Sequence, residues 1–282
     1  MIRDAGPQDR AEIESFLTAQ IDQAMFPLAA LREHGLAQGG FASPHDHAIR
    51  VWLLGRSTIA LTRSGNLLPY LDGSPDLAPL RAALQGQTIA GAIGPAASAR
   101  PVIAALGLDR LPAASDRNEP GFALTLADLS LPDLPGTSLR PLAPDDLPLA
   151  AAWREAYLCE VMGGSGPEAR AKAGADIAAY IARDSHRLLL HRDQPVALTG
   201  FNATLPGIVQ IGGVYTPPAL RGKGYARRAV ARHLEEARQK GTTRAVLFAA
   251  SDAAARAYQA IGFRRVRDFT LFLLKTPVVL AA

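Results

Sequence analysis

The segment Val214-Tyr215-Thr216-Pro217-Pro218-Ala219-Leu220-Arg221-Gly222-Lys223-Gly224-Tyr225-Ala226 gathers residues suited to holding an anion. Val214, Tyr215 and Thr216 end an apolar run that reads as a strand, and the two prolines close it. Gly222 and Gly224 leave the backbone N–H groups around them unobstructed. Ala226, Ala229, Val230, His233, Leu234 and Ala237 then recur at helical spacing and mark the inner face of a helix. Exposed amides at a helix N-terminus, with Arg221 and Lys223 beside them, form a site for a diphosphate. Arg227, Arg228 and Arg232 could meet a further phosphate.

Two common phosphate loops do not fit. A Walker loop requires Ser or Thr after its lysine, but Gly224 follows Lys223; a dinucleotide fingerprint requires a third glycine. A plain glycine turn into a solvated basic helix remains as the alternative. Glu160 is a second site candidate. On the helix expected from Asp145 and Asp146 to about Val161, Leu149, Trp153, Ala156 and Glu160 share one stripe, and an acid on an apolar inward stripe is costly without a partner. Tyr258 shares a helix face with Ala254, Ala255 and Ile261, and so points inward. The single cysteine, Cys159, excludes an internal disulfide and any cysteine-cluster metal site, and its neighbour Glu160 discourages a thiolate. His45-Asp46-His47 reads as a solvated polar loop, so no metal is expected.

The elements that position these residues fall into two halves. The chain has 282 residues, 48% of them hydrophobic, enough for two domains with real cores. Ile2-Arg3-Asp4-Ala5-Gly6-Pro7-Gln8-Asp9 is echoed by Leu139-Arg140-Pro141-Leu142-Ala143-Pro144-Asp145-Asp146: an aliphatic residue, Arg, Pro, Asp, then a helix. A Pro/Gly-rich stretch, residues 131–138, lies between, which places a boundary near Pro135 and gives domains 1–135 and 136–282. In the first half, residues 13–26 read as a helix stopped by Pro27, residues 51–54 and 57–62 as a strand pair, and residues 121–131 as a strand. In the second, a helix over 168–182 is followed by strands over 187–191, 195–204 and 208–216. After the helix within 221–240 comes a strand over 244–250. A short helix capped by Ser251 and ended by Gly262 leads to a last strand over 269–274. This mixed order predicts an α+β fold with mixed sheets.

The net charge of +4 is local, because residues 221–240 hold seven Lys or Arg against Glu235 and Glu236. A focused patch suits a small polyanion better than a nucleic acid, which needs aromatic and basic residues interleaved over a surface. The two long uncharged stretches, 82–99 and 194–220, are interrupted by Gly, Pro, Gln or Asn and are not membrane spans. With no signal-peptide core at the N-terminus, a cytoplasmic chain is expected.

Arg221-x-x-Gly224-x-Ala226 resembles the acyl-CoA diphosphate loop, (Gln/Arg)-x-x-Gly-x-(Gly/Ala), of the GNAT superfamily of N-acetyltransferases. Tyr258-Gln259-Ala260-Ile261-Gly262-Phe263 is similar to the Tyr-x-x-(Leu/Ile)-Gly-Phe that ends a late helix in that family. The resemblance covers residues 139–275; the first half shares only the strand–helix opening and looks like a degenerate copy. It implies two GNAT-like domains, each a mostly antiparallel mixed sheet flanked by helices, with catalysis in the second. It further implies acetyl-CoA as co-substrate, a small-molecule or peptide amine as acceptor, and no metal. Gly212-Gly213 would form a strand bulge. Val214, Tyr215 and Thr216 would line the pantetheine arm, and Arg221, Gly222, Lys223, Gly224, Tyr225 and Ala226 the diphosphate. Tyr258 would be the general acid, and Glu160 would bind or deprotonate the amine. Two departures stand out: Ser251 occupies a position where many relatives have Asn, and the strand 208–216 carries Gln210 where some have a catalytic carboxylate. A non-catalytic acyl-CoA-binding protein is the rival reading, and the oligomeric state, homodimer included, stays open.

Overall fold

The computed structural model describes residues 2–133 and 135–281. Their contacts divide into two compact units, Met1–Glu119 with Arg267–Ala282, and Pro120–Val266. The first run of elements is β1 (Ile2–Asp4), α1 (Arg10–Thr18), α2 (Ile21–His34), β2 (Ile49–Leu54), β3 (Ser57–Thr62), β4 (Asn66–Tyr70), α3 (Leu80–Ala83), β5 (Thr88–Pro95), α4 (Ala96–Ala105) and β6 (Ala113–Thr125). The second is β7 (Thr137–Pro141), α5 (Leu147–Met162), α6 (Gly166–Ala182), β8 (His186–His191), β9 (Gln194–Leu205), β10 (Ile208–Tyr215), α7 (Tyr225–Gln239), β11 (Arg244–Phe248), α8 (Asp252–Gln259) and β12 (Arg264–Val279). Both runs follow one order: strand, two helices, three strands, helix, strand, helix, strand. Among the described residues, no helix is long and apolar enough to cross a membrane.

The sequence echo is a repeated physical device. Arg3 grips Asp9 through two hydrogen bonds of 2.6 and 2.7 Å, and Asp9 also accepts from the Gly6 N–H at 2.9 Å. Arg140 grips Asp146 at 2.6 and 2.8 Å, and Asp146 accepts from the Ala143 N–H at 2.8 Å. Each aspartate thereby ties the first strand of its unit to the helical turn that follows. The guanidinium holds the Asp9 carboxyl down at about 2 and lowers that of Asp146 in the same way. The same number of residues separates Arg3 from Arg140, Asp9 from Asp146, Ile49 from His186 and Ser57 from Gln194, so the two halves stay in register through their first three strands.

Each unit is a mixed, mostly antiparallel sheet flanked by helices. In the first, β1, β2, β3 and β4 are antiparallel neighbours and β5 joins β4 in parallel. In the second, β7, β8, β9 and β10 are antiparallel neighbours and β11 joins β10 in parallel. Each sheet takes one more strand from the other half of the sequence. Residues 269–279 of β12 pair with β5, and residues 121–125 of β6 pair with β11. Phe272, Leu274 and Leu280 consequently sit in the first unit's core, beside Ile59, Leu67 and Ile103. Phe122, Leu124 and Leu126 sit in the second unit's core, beside Val230, Leu247 and Ile261.

The compact units are thus not cut where the Pro/Gly-rich stretch predicts a boundary. Pro135 lies inside the second unit, and Leu134 lies outside the described residues. The physical reason is strand pairing: β11 needs residues 121–125 as its neighbour. Pro27 also departs from expectation, since α2 runs through it to His34. The backbone leaves helical geometry at Ala24 instead (φ −103°, ψ 19°), which puts Pro27 in the first turn of a restarted helix, where its missing N–H costs nothing.

A fragment beginning at Gly136 should therefore fail to fold cooperatively. It loses three buried core side chains worth about 1.5–3 kcal/mol each, a sum comparable to the whole stability of a domain. Near-ultraviolet circular dichroism and urea titration of the 136–282 fragment against the full chain test this; a cooperative transition in the fragment would contradict the assignment of β6.

Candidate acyl-CoA site

The site is set by where β10 stops pairing. Ile208, Val209 and Gln210 face Arg244, Ala245 and Val246 of β11, and the pairing ends there. On its other edge β10 stays with β9 as far as Tyr215 opposite Leu198, with register shifts after Gln210 and after Gly212. The second shift is a bulge at Gly213, whose φ of +63° suits glycine alone among common residues. Gly212 and Gly200 face each other across the β9–β10 pair. A Cβ on Gly212 would collide with the Asn202 carboxamide, and one on Gly200 with the His186 ring. The expected bulge at Gly212-Gly213 is present, and it leaves the end of β10, with Val214, free of a partner on the β11 side.

Past Tyr215 the chain turns through Pro218–Leu220 into Arg221-Gly222-Lys223-Gly224. Gly222 and Gly224 both adopt left-handed geometry, with φ +78° and +79°, and a Cβ on Gly222 would meet nothing within 4 Å. These glycines answer a demand of backbone shape and not of crowding. Gly224 is the N-cap of α7, and no side chain caps the helix. The first-turn N–H groups, those of Tyr225 and Ala226 included, lack an intrahelical acceptor and are available to an anion. Lys223 is exposed beside them. Arg228 is buried, yet its Nε and that of Arg227 make no hydrogen bond. Burial and the neighbouring Arg232 lower the Arg228 pKa, against a smaller opposing pull from Asp133. The Thr216 hydroxyl, buried at the end of the strand, also has no partner.

Tyr258 and Ser251 lie where their spacing predicts. Tyr258 is 7% exposed, its ring edge-on to Phe263 at 6.1 Å, in the cluster against which Val214, Ala254 and Ala255 pack. Ser251 caps α8 by accepting from the Ala254 N–H at 3.2 Å. Gly262 ends the α8 turn at φ +105°, so close to the Asp128 carbonyl that no Cβ fits.

Glu160 departs from expectation. Of the stripe Leu149-Trp153-Ala156-Glu160, Trp153 and Ala156 pack, partly buried, against the core cluster that holds Leu188, Leu198 and Tyr215, while the two ends, Leu149 and Glu160, are exposed. Glu160 lies two residues before the end of α5, past the part of the stripe that meets the core. The Glu160 carboxylate sits at the surface and bonds Arg221 Nη2 at 2.6 Å, with the Tyr215 hydroxyl at 3.4 Å. The structure thus joins Glu160, Tyr215 and Arg221, three residues singled out separately. Asp176, on α6, is held by Arg154 and Lys172. Cys159 is exposed. His45 stacks on His34 and His47 is tilted against His45, and among the described residues no His, Cys, Asp or Glu group is arranged to hold a metal.

One side chain at the bulge escaped the sequence reading. His186 is fully buried, stacked on Tyr180 at 3.6 Å, with Ser185 Oγ 2.9 Å from Nδ1 and no partner at Nε2. Burial, then Arg154 and Arg187, pushes its pKa down to about 3. The available signal was the half-to-half register, which sets a histidine where the first half has Ile49.

The sequence model of the acetyltransferase (GNAT) family matches residues 151–263, a span that holds the bulge, the loop and Tyr258. The chain carries a GNAT acetyltransferase domain. Solved structures share the architecture across almost the whole chain. A GCN5-related N-acetyltransferase from Kribbella flavida is 16% identical with a TM-score of 0.56, over 93% of this chain and 95% of that one. One from Sphaerobacter thermophilus is 15% identical with a TM-score of 0.58, over 100% and 96%. A GNAT-family acetyltransferase from Colwellia psychrerythraea is 17% identical with a TM-score of 0.52, over 98% and 100%. At these identities the likeness concerns the fold. A search of curated proteins returned no match. The GNAT family match and the paired folds together give two GNAT-like domains, of which the second carries the loop.

The buried histidines of this GNAT domain predict acid sensitivity. His186, held near 3, and His233, lowered well below its usual value by burial, stay neutral when folded, while the unfolded chain binds protons near pH 6.5. The unfolded state then binds more protons below that pH, so stability is full above it and falls on acidification. The slope is at most about 1.4 kcal/mol per pH unit for each histidine. Urea midpoints should drop from pH 7 to pH 5, and His186→Phe, which keeps a ring on Tyr180, should flatten that slope. An unchanged slope would show that His186 titrates normally.

Proposed function

We propose that the second unit transfers an acetyl group from acetyl-CoA to a primary amine by direct attack while both are bound. The observation that carries this reading is the contrast between equivalent strands. In the second unit, β10 leaves β11 through a glycine bulge and leads into a helix N-terminus without a side-chain cap, beside Arg227 and Arg228, whose Nε atoms make no hydrogen bond. In the first unit, β4 also leaves β5 early, after Leu67 and Ala92, but the following N–H groups are already satisfied. The Leu71 N–H donates to Ser98 Oγ at 3.0 Å and the Asp72 N–H to Ser57 Oγ at 2.9 Å. Tyr70 is fully buried, its hydroxyl bonded to the Gln23 carbonyl. The residues that follow, Asp72 and Asp76, would repel a diphosphate. We therefore assign cofactor binding to residues 136–282, supported by β6, and read residues 1–135 as a copy that does not bind it.

The residues of the second unit fit the cofactor. The N–H groups of residues 222–226, with Arg221 and Lys223, would hold its diphosphate, and the backbone of Val214 and Thr216 its pantetheine amides. Acetyl-CoA supplies an acyl group activated as a thioester. Tyr258, packed in the cluster that includes Val214, would give its phenolic proton to the departing sulfur. No acid stands on β10, since Gln210 is buried there with Nε2 unpartnered. The amine's proton would pass to Glu160 or to water. Gln210 is also what favours the second reading, a protein that binds acyl-CoA without turning it over.

Coenzyme A should raise the melting temperature of the chain. Gly224→Ala, which forces a side chain into left-handed geometry at a cost of about 1–2 kcal/mol, should lower the apo transition modestly and reduce or abolish the coenzyme A response. A full response in that variant would refute the loop assignment.

Turnover separates the two readings. Acetyl-CoA offered with a panel of amines and followed by mass spectrometry should yield an acetylated product; none would favour the binding protein. With an acceptor identified, Tyr258→Phe should lower kcat by about 10²–10⁴-fold with coenzyme A affinity nearly unchanged. Full activity in the folded variant would return Tyr258 to a packing role.

A further inference from the structure

Arg221 serves two anions. It opens the phosphate loop, yet its guanidinium is turned back onto α5: Nη2 bonds Glu160 at 2.6 Å, Nε bonds the Thr216 carbonyl at 2.9 Å, and its carbon lies 5.7 Å from the Tyr215 ring centre. The Tyr215 hydroxyl lies 3.4 Å from the same carboxylate, and the Trp153 ring packs on Tyr215 at 6.2 Å. A carboxylate, a phenol and an aromatic face around one positive group are the parts of a site for an organic cation.

We infer that Glu160 and Tyr215 form the ammonium site of the acceptor, and that Arg221 is its built-in occupant until a diphosphate takes the guanidinium. This rests on the acetyltransfer reading, which supplies the diphosphate. Arg221 and Glu160 are both about half exposed, with side chains 48% and 41% accessible, so they exchange partners without disturbing the core. A diphosphate carries more charge than one carboxylate and also meets Lys223 and the amides of α7, so it wins the guanidinium. Glu160 is then an unpaired carboxylate near a polyanion, and a cationic amine is the partner that restores balance. The acceptor class that follows is an amine bearing positive charge at neutral pH. By linkage, the cofactor and that amine raise each other's affinity by the same factor.

Isothermal titration of coenzyme A and of 1,4-diaminobutane into the full-length protein tests the exchange. Glu160→Gln should bind coenzyme A about two- to fivefold more tightly than wild type, the scale of one exposed ion pair. Glu155→Gln, which removes the same charge from α5 but bonds Arg170, should match wild type. The diamine should bind wild type more tightly when coenzyme A is saturating, by a similar factor, and Glu160→Gln should lose that difference. Three results overturn the exchange alone: unchanged or weaker coenzyme A binding in Glu160→Gln, an equal gain in Glu155→Gln, or diamine coupling that survives in Glu160→Gln. A wild-type protein that binds no coenzyme A would instead overturn the acetyltransfer reading and the exchange with it.

Discussion

What the second unit can offer a ligand depends on the end of pairing between β10 and β11. Parallel strands that stay paired leave no opening, and a strand without a bulge would carry its next side chains to the wrong face. Gly213 inserts the extra residue, Gly200 and Gly212 leave room for His186 and Asn202, and the freed end of β10 runs into the phosphate loop. The uncapped start of α7 follows within a few residues. Substituting any one of these glycines would not remove a binding group, yet it would move all of them.

The two halves keep the same frame and differ in what completes it. The Arg–Asp clamps at Asp9 and Asp146 are alike in partners and distances, and they fix how the first strand meets the first helix. Past the third strand the halves diverge. Where the second unit has a loop of glycines and cations, the first has Ser57 and Ser98 bonding the same stretch of backbone, and a short α3 in place of α7. The exchange of terminal strands adds a second constraint. Because β12 lies in the first unit's core, that core is not complete until the end of the chain has been made, whereas the second unit is complete at Val266.

Much of this was legible in the sequence, for reasons that can be named. The left-handed turn at Gly222 and Gly224, the Gly212-Gly213 bulge and the Ser251 cap depend on backbone geometry that few residue types permit, so residue identity alone carries them. The Arg–Asp echo was visible because it is a local pattern of charge and proline. Long-range consequences were not visible. Nothing in residues 121–126 says that they pair with β11, because an alternating strand fits either sheet. The inward setting expected for Glu160 was wrong. Helical periodicity put it on a stripe whose middle, Trp153 and Ala156, does meet the core, but periodicity does not say where along the helix that contact ends. The true partner, Arg221, is far away in sequence and could come only from the fold. His186 was missed since a lone histidine in an apolar strand usually reads as core.

The buried polar atoms without partners are also divided unevenly between the two units. A folded domain leaves few buried polar groups without partners, because each costs free energy. Among the described residues, those in the first unit are Thr58 Oγ1 and Asn66 Oδ1, whereas the second unit has Thr199, His186, Gln210 and Thr216 on β8, β9 and β10 or at their ends, and Arg227, Arg228 and His233 on α7. A polar ligand lying along β10 and α7 would supply partners for some of these groups. The unpaired Nε atoms of Arg227 and Arg228 are the most costly, being charged, and they stand in the first turn of the helix that the phosphate loop opens. An anion bound there would give these groups partners and, by binding the folded form, would stabilise this unit.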